Sequence, residues 1–400
     1  MNPKPRDRRE ALADLPRSMI DAYRQETLAD ADWLASLDPP RVTAKPADVV
    51  RPTDDPHDYV SVGTYWWPNP ETADGLPFVH RDGEFSPVIA DYDRLRWDLH
   101  AEGIALLGQA GDLTDDPRYL QAAADWCQTW YVDSATRMNP HLRHAQMCPG
   151  HDTGRMVGCI DFTVRTARFI DAICDLAQAS NAGRSIVEPV RAWWKRLYGW
   201  LISSEVRAWH EAAQNNIGVY YDLTVLRLAA WFDDEETQRR ILDRVLDSRV
   251  DSQIEADGTM PHELRRTRSF SYVLMNTVGY IDLATLAQHR GVDLFFATSS
   301  RGRTIASAVD WLWDQAAATD PWPNAQIAPI DWDLLVRLWW CLAPTYRERY
   351  PLDRIAHRIS PALLNEPRLA LCHVQLHPFH RKVWTEYPHA FPPQPGAGSA

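Results

Sequence analysis

A chain of 400 residues with 45% hydrophobic and 24% charged side chains has an ordinary globular composition and enough length for a substantial core. Its formal net charge of −12 argues against a nucleic-acid partner, because a phosphate backbone needs a basic footprint. A polyanionic substrate would need a local basic patch to offset that charge. No apolar run of about 18 residues is present to span a bilayer. The opening MNPKPRDRREALADLPRSM lacks the apolar segment of a secretory leader, so the reading is a cytoplasmic protein without a membrane partner. Cys127, Cys148, Cys159, Cys174, Cys341 and Cys372 show no metal-ligand spacing, which predicts free thiols and no metal or cofactor. The 18 tryptophans suit a sugar-binding cleft, since each offers a flat face and an N–H, but most are expected in the core.

Residues 1–50 read as an N-terminal helical extension and a linker around Asp38-Pro39-Pro40. Residues 51–93, rich in Pro, Gly, Asp and aromatics, read as long loops packed over something else, and long loops in a globular chain are usually functional. A helix is expected over 95–110, ended by Gly111. Asp116-Pro117 then supplies an N-cap and a first-turn proline for a helix reaching about Trp130. Val157, Ile160, Val164, Ala167, Ile170, Ile173 and Leu176 recur at steps of three and four, as one face of a helix does. Val190, Trp193, Leu197 and Leu201 repeat this, as do Ile305, Ala308, Val309, Leu312 and Trp313. Further helices are expected near 219–232, 235–249, 270–290 and 331–344, and strand-like alternation is scarce. Roughly ten helices joined by short loops can close as a ring of antiparallel pairs, each burying its apolar stripe. The expected fold is all-α; one such ring, an (α/α) toroid or incomplete barrel, would span 51–385. A disordered Pro-, Gly- and Ala-rich tail is expected over 386–400.

Several motifs occur in a specific order. His57-Asp58-Tyr59-Val60-Ser61 precedes Tyr65-Trp66-Trp67-Pro68-Asn69-Pro70, then Asp74-Gly75-Leu76-Pro77 and Arg81-Asp82-Gly83. Thr136-Arg137-Met138-Asn139-Pro140, Ala145-Gln146, Pro149-Gly150 and Gly154-Arg155 follow. Asn215-Asn216 and Arg266-Thr267-Arg268-Ser269-Phe270-Ser271-Tyr272 close the series. Over roughly residues 55–295 this set resembles the alginate-lyase-like domain of polysaccharide lyases. The resemblance implies a helical toroid with long loops over a cleft and metal-independent β-elimination at a uronate. In that reaction the C5 proton leaves, the 4-O-glycosidic bond breaks and an unsaturated sugar end forms.

A proton beside a carboxylate is very weakly acidic, so the carboxylate charge must be neutralised and a base and an acid supplied. By resemblance Asn216 falls on the amide position that meets the substrate carboxylate; an Asn there is also a good helix N-cap. Arg266 falls on the arginine position and Tyr272 on that of the proton-transferring tyrosine. Six residues apart on a helix they would not share a face, so a loop must lead into the helix for them to converge. A guanidinium near a phenol favours phenolate. Where the family pattern continues Asn-Asn-His-Gly, this chain reads Asn215-Asn216-Ile217-Gly218, and isoleucine carries no proton. Either Tyr272 serves as both base and acid, which demands the syn arrangement of mannuronate or glucuronate, or the scaffold has been turned to another eliminative or cyclising reaction on a small molecule. A carbohydrate-binding protein without turnover is a third possibility. His144, His151 and His262 are candidate replacement proton carriers, though a lone histidine is more often structural. Trp66, Trp67, Gln146, Arg155, Tyr220 and Arg268 are candidate substrate contacts, with one of the two tryptophans facing ligand and the other packed. The expected partner is an oligosaccharide or small-molecule substrate.

Overall fold

The computed structural model describes residues 17–114, 116–179 and 181–361. The opening residues and the 386–400 tail lie outside this range. Helix α1 spans Arg17–Ala35. The described residues gather into two compact units, a first over Tyr23–Arg207, which takes in most of this helix, and a second made of 17–22 and 208–361. No helix among the described residues is long and apolar enough to cross a membrane.

Besides most of α1, the described residues of the first unit form two small sheets and four further helices. Strand β1 (Val60–Val62) pairs in parallel with β4 (His144–Met147), and β2 (Trp66–Trp67) pairs antiparallel with β3 (Val79–His80). Helix α2 (Asp93–Thr114) packs against α3 (Pro117–Cys127) and α4 (Ile160–Ala179), and α4 against α5 (Asn181–Leu201). From Asp93 to Gly111, α2 is buried on every side except at Arg94. Gly111 does not end it. A Cβ there would lie 2.5 Å from the Leu120 side chain, so the glycine serves close approach of α3, and the helix runs on to Thr114. Asp116 caps α3 by accepting the Arg118 N–H at 3.0 Å, with Pro117 in the first turn. A π-helical turn, Gln128–Val132, then carries Trp130 and Tyr131 inward. They join Trp97, Trp193, Trp194, Phe162 and Phe169, with Trp97 stacked on Phe162 at 3.9 Å. The tryptophans named here are thus core residues.

In the second unit, α6 (Ser204–Ala212) leads to α7 (Asn216–Trp231) and α8 (Glu235–Val245). After a short turn at Pro261–Leu264, α9 (Ser269–Gln288) packs against α7, α10 (Ile305–Ala317) and α11 (Leu334–Cys341). Another π-helical turn, Leu246–Val250, delivers Arg249 into the interior with no exposed surface. Its Nε donates to Asp222 at 2.7 Å. Its Nη atoms donate to the carbonyls of His210, Glu211 and Ala213 at 2.8, 3.1 and 2.6 Å. These carbonyls lie at and just past the end of α6, where helical partners run out; that of His210 also accepts the Ala213 N–H at 3.2 Å. A Cβ on Gly218 would lie 2.5 Å from both the Arg249 Nη1 and the Ala213 carbonyl, so the first turn of α7 has room only for glycine.

Candidate active site

Asn216, Arg266 and Tyr272 lie in the second unit; the candidate proton carriers His144 and His151 lie in the first. The N-cap of α7 is Asn215, whose side chain accepts the Ile217 N–H at 3.2 Å, so Asn216 is released from that role. Gln253 donates to the Asn215 carbonyl at 3.2 Å and is itself held by Asn276 at 3.0 Å. Asn216, 3% exposed, turns its polar groups to Glu263. The Asn216 backbone N–H donates to Glu263 Oε1 at 2.7 Å, and its Nδ2 lies 2.9 and 3.1 Å from the two carboxylate oxygens. Burial pushes the Glu263 carboxyl up to about 7, although the Asn216 hydrogen bonds and the Arg266 charge pull the other way.

Helical backbone stops after Leu264 and resumes at Ser269, and the intervening residues fold Arg266 back over α9. Its guanidinium carbon sits 3.8 Å from the centroid of the Tyr272 ring, a face-on cation–π contact. Tyr272 is half-buried rather than sealed in hydrocarbon. Asn216, Glu263, Arg266 and Tyr272 thus form one continuous group. Glu263 is the member that the sequence did not single out; the available signal was a lone acid beside the basic run Arg265-Arg266-Thr267-Arg268. Arg268 is half-buried at the N-cap of α9, where its backbone bridges to Gln326. Tyr220 departs from the expected substrate contact. It is 3% exposed and its hydroxyl donates to the Met275 carbonyl at 2.9 Å, so it belongs to the packing of α7 on α9.

The remaining candidates lie in the first unit. Successive residues of β2 face opposite ways. Trp66 packs on the cluster of Val60, Val62, Phe78, Tyr92 and Met147, with His80 and His151 against its ring at 5.2 and 5.0 Å and the Arg155 guanidinium 5.9 Å away. Trp67 lies under Arg81 at 4.8 Å and donates its Nε1–H to the Glu84 carbonyl at 3.0 Å. Gln146 adopts a left-handed backbone, φ 48°, rare for a residue with a side chain. It is held by its N–H to Ser61 at 2.7 Å, its Nε2 to Asp161 at 2.8 Å and its carbonyl from Arg155 Nε at 2.7 Å. Asp161 also accepts from Tyr59 and Ser61 and lies 3.7 Å from Arg94, so it anchors the loop carrying Gln146 and Arg155.

The two histidines are oriented by backbone carbonyls. His144 Nδ1 lies 2.9 Å from the Thr153 carbonyl, which fixes a proton on Nδ1 and points Nε2 toward Asp58, 3.7 Å away. His151 Nε2 lies 2.8 Å from the Phe78 carbonyl, which leaves Nδ1 as its proton acceptor. His141 Nε2 contacts Asp58 at 3.1 Å, and burial lowers its pKa despite that carboxylate. Among the described residues no group of His, Cys, Asp and Glu is placed to hold a metal ion.

A scaffold of packed helices carrying a half-buried tyrosine under an arginine, with aromatic and arginine-bearing loops, is the equipment of an all-α carbohydrate-active enzyme. Comparison with known proteins makes this specific. The family model described as alginate lyase matches residues 42–322, and the chain belongs to the alginate lyase family. An alginate lyase from Bacteroides ovatus is 29% identical, with a TM-score of 0.78 over 87% of this chain and 92% of that one. A variant of alginate lyase A1-III complexed with a tetrasaccharide is 17% identical, with a TM-score of 0.55 over 87% of this chain and 94% of that one. No curated protein matches the chain in sequence. The fold class is therefore the (α/α) toroid of the alginate lyases, and the protein is a polysaccharide-lyase-like enzyme.

Proposed function

We propose that this protein cleaves a uronate-containing oligosaccharide by syn β-elimination, with Tyr272 as both base and acid. The observation that carries the proposal is the Arg266 guanidinium laid 3.8 Å over the Tyr272 ring. A cation at that distance favours the phenolate over the phenol and adds positive charge where a substrate carboxylate becomes an enolate-like dianion. The phenolate takes the C5 proton, the C5–H electrons form the C4–C5 double bond, and the C4–O bond breaks toward the leaving sugar. The new tyrosine hydroxyl returns its proton to that oxygen, so no water is consumed. Asn216 supplies the amide for the substrate carboxylate. In the first unit, Trp66 with Arg155, and Arg81 over Trp67, offer flat faces and positive charge suited to anionic sugars.

The syn restriction follows from Ile217, half-buried beside buried Asn216 at the point where the family pattern has a histidine. With one proton carrier, departing and arriving protons must share a face of the sugar, as in mannuronate and glucuronate. The test is incubation with mannuronate, glucuronate and guluronate oligomers, following ultraviolet absorbance of the unsaturated product. Turnover of a syn substrate, reduced about 10²–10⁴-fold in Tyr272→Phe, is expected. No product from any of the three defeats the proposal.

A second reading also rests on Ile217: the same scaffold acting on a small molecule by another elimination or a cyclisation. Genes for polysaccharide use beside this one would count against it.

A further inference from the structure

Glu263 is a buried carboxyl, 1% exposed, that the proposed chemistry does not use. Its contacts are specific: one backbone N–H and one side-chain amide nitrogen, both from Asn216, at 2.7 to 3.1 Å. An ionised carboxylate only accepts hydrogen bonds, whereas a carboxylic acid also donates one. Ionised Glu263 therefore keeps the NH2 end of the Asn216 amide toward itself, the arrangement of the 2.9 and 3.1 Å contacts, which turns the carbonyl end away. Protonated Glu263 still accepts the backbone N–H on one oxygen. Its hydroxyl then pairs with the Asn216 carbonyl, and the amide turns by half a revolution to present its NH2 on the other side.

We infer that Glu263 is a positioning residue for carboxylate binding: its proton decides which end of the Asn216 amide is offered to the substrate. This rests on the uronate-lyase reading above. A substrate carboxylate accepts hydrogen bonds only, so the amide must show it the NH2 end, and the protonated form of Glu263 is the competent one. An arriving anion helps to bring that form about, since negative charge nearby favours the neutral carboxyl. The surroundings suit such a device. Arg266, in the turn before α9, is the charged group acting on Glu263 and holds its titration down. Tyr220 on α7 and Tyr280 on α9 are buried phenols that feel its charge and stay neutral. Burial outweighs Arg266 and brings the titration to about 7, where modest changes in field or pH move the proton.

The test uses the full chain with ¹⁵N-labelled asparagine, the Asn216 side-chain NH2 signal being assigned by its loss in Asn216→Ala. That signal is expected to shift with an inflection near pH 7, and the inflection to vanish in Glu263→Gln. In parallel, the ratio of native to Glu263→Gln kcat/KM on mannuronate oligomers, in which the titration of Tyr272 cancels, is expected to fall about tenfold per pH unit above about pH 7, because the neutral amide of the variant donates permanently to Asn216. A flat Asn216 signal across the neutral range in the native chain overturns the inference even if uronates are cleaved. An Asn216 inflection without turnover of any uronate supports the proton-linked amide and defeats the substrate reading alone.

Discussion

Replacing Arg249 with Met is expected to destabilise the second unit sharply. The guanidinium is fully buried and does two jobs: it pairs with Asp222, and it donates to three carbonyls around the end of α6, of which those of Glu211 and Ala213 depend on it and that of His210 also accepts the Ala213 N–H. Methionine fills much of the stem volume but offers no N–H. Breaking a buried ion pair costs about 3–5 kcal/mol, and each buried carbonyl left unmet costs about 1–3 kcal/mol. Asp222 retains Arg244, and water can reach part of a loosened helix end, so the terms overlap and a net loss of about 5 kcal/mol is expected. At about 2–4 °C per kcal/mol, the melting transition of this unit should fall by about 10–20 °C. Differential scanning calorimetry of the full chain reads this directly. Adding Asp222→Leu should recover none of the loss, because it takes from Arg244 the carboxylate that pairs with it and leaves the carbonyls unmet. A drop below about 3 °C in the single variant would refute the assignment of Arg249 as the clamp of the Ala213–Gly218 turn.

The pH dependence of stability gives a second expectation. The Glu263 pKa is raised in the folded state from 4.5 to about 7, so its contribution is fully present below the unfolded value and lost as pH rises through about 7. Native protein should therefore lose about 3 kcal/mol more than Glu263→Gln between pH 5 and pH 8 in paired denaturant titrations; equal losses would contradict the burial argument. Ile217→His restores a proton carrier beside Asn216 and should raise the ratio of guluronate to mannuronate cleavage, measured by product absorbance; an unchanged ratio counts against the syn restriction. Trp66→Ala removes packing from the Val60–Met147 cluster and should cost about 2–3 kcal/mol, whereas Trp67→Ala, on the outer face of β2, should cost under about 1 kcal/mol. Melting curves that do not separate the two variants would overturn that inside–outside assignment.

Much of the helical frame is legible in the sequence because its signals are local. The Asp116-Pro117 start of α3 and the three-four spacing in α4 correspond directly to the observed elements. Helix α2 is harder to delimit. It is buried nearly all round, so it has no polar face to set a period, and Gly111 looks like a stop when it is a contact surface for Leu120. The π-helical turns at 128–132 and 246–250 leave no pattern of their own, yet they set where Trp130 and Arg249 point. At the site, the spacing of Arg266 and Tyr272 requires a break before α9, and the chain provides one. Glu263 could not be found by spacing, because its partner Asn216 lies 47 residues away and the link between them exists only after folding. Tyr220 is the opposite case: one turn beyond Asn216 on the same side of α7, it lies where α9 packs over the helix, so its hydroxyl meets the Met275 carbonyl.

The face-on seat of Arg266 carries one further consequence. A phenol oxygen lies on the long axis of its ring, so a cation resting on the π cloud acts on the oxygen without standing in front of it. A guanidinium hydrogen-bonded to the same oxygen would occupy a lone pair and have to withdraw at each proton transfer. In the proposed chemistry, a cation seated on the ring face can keep its place through both proton transfers.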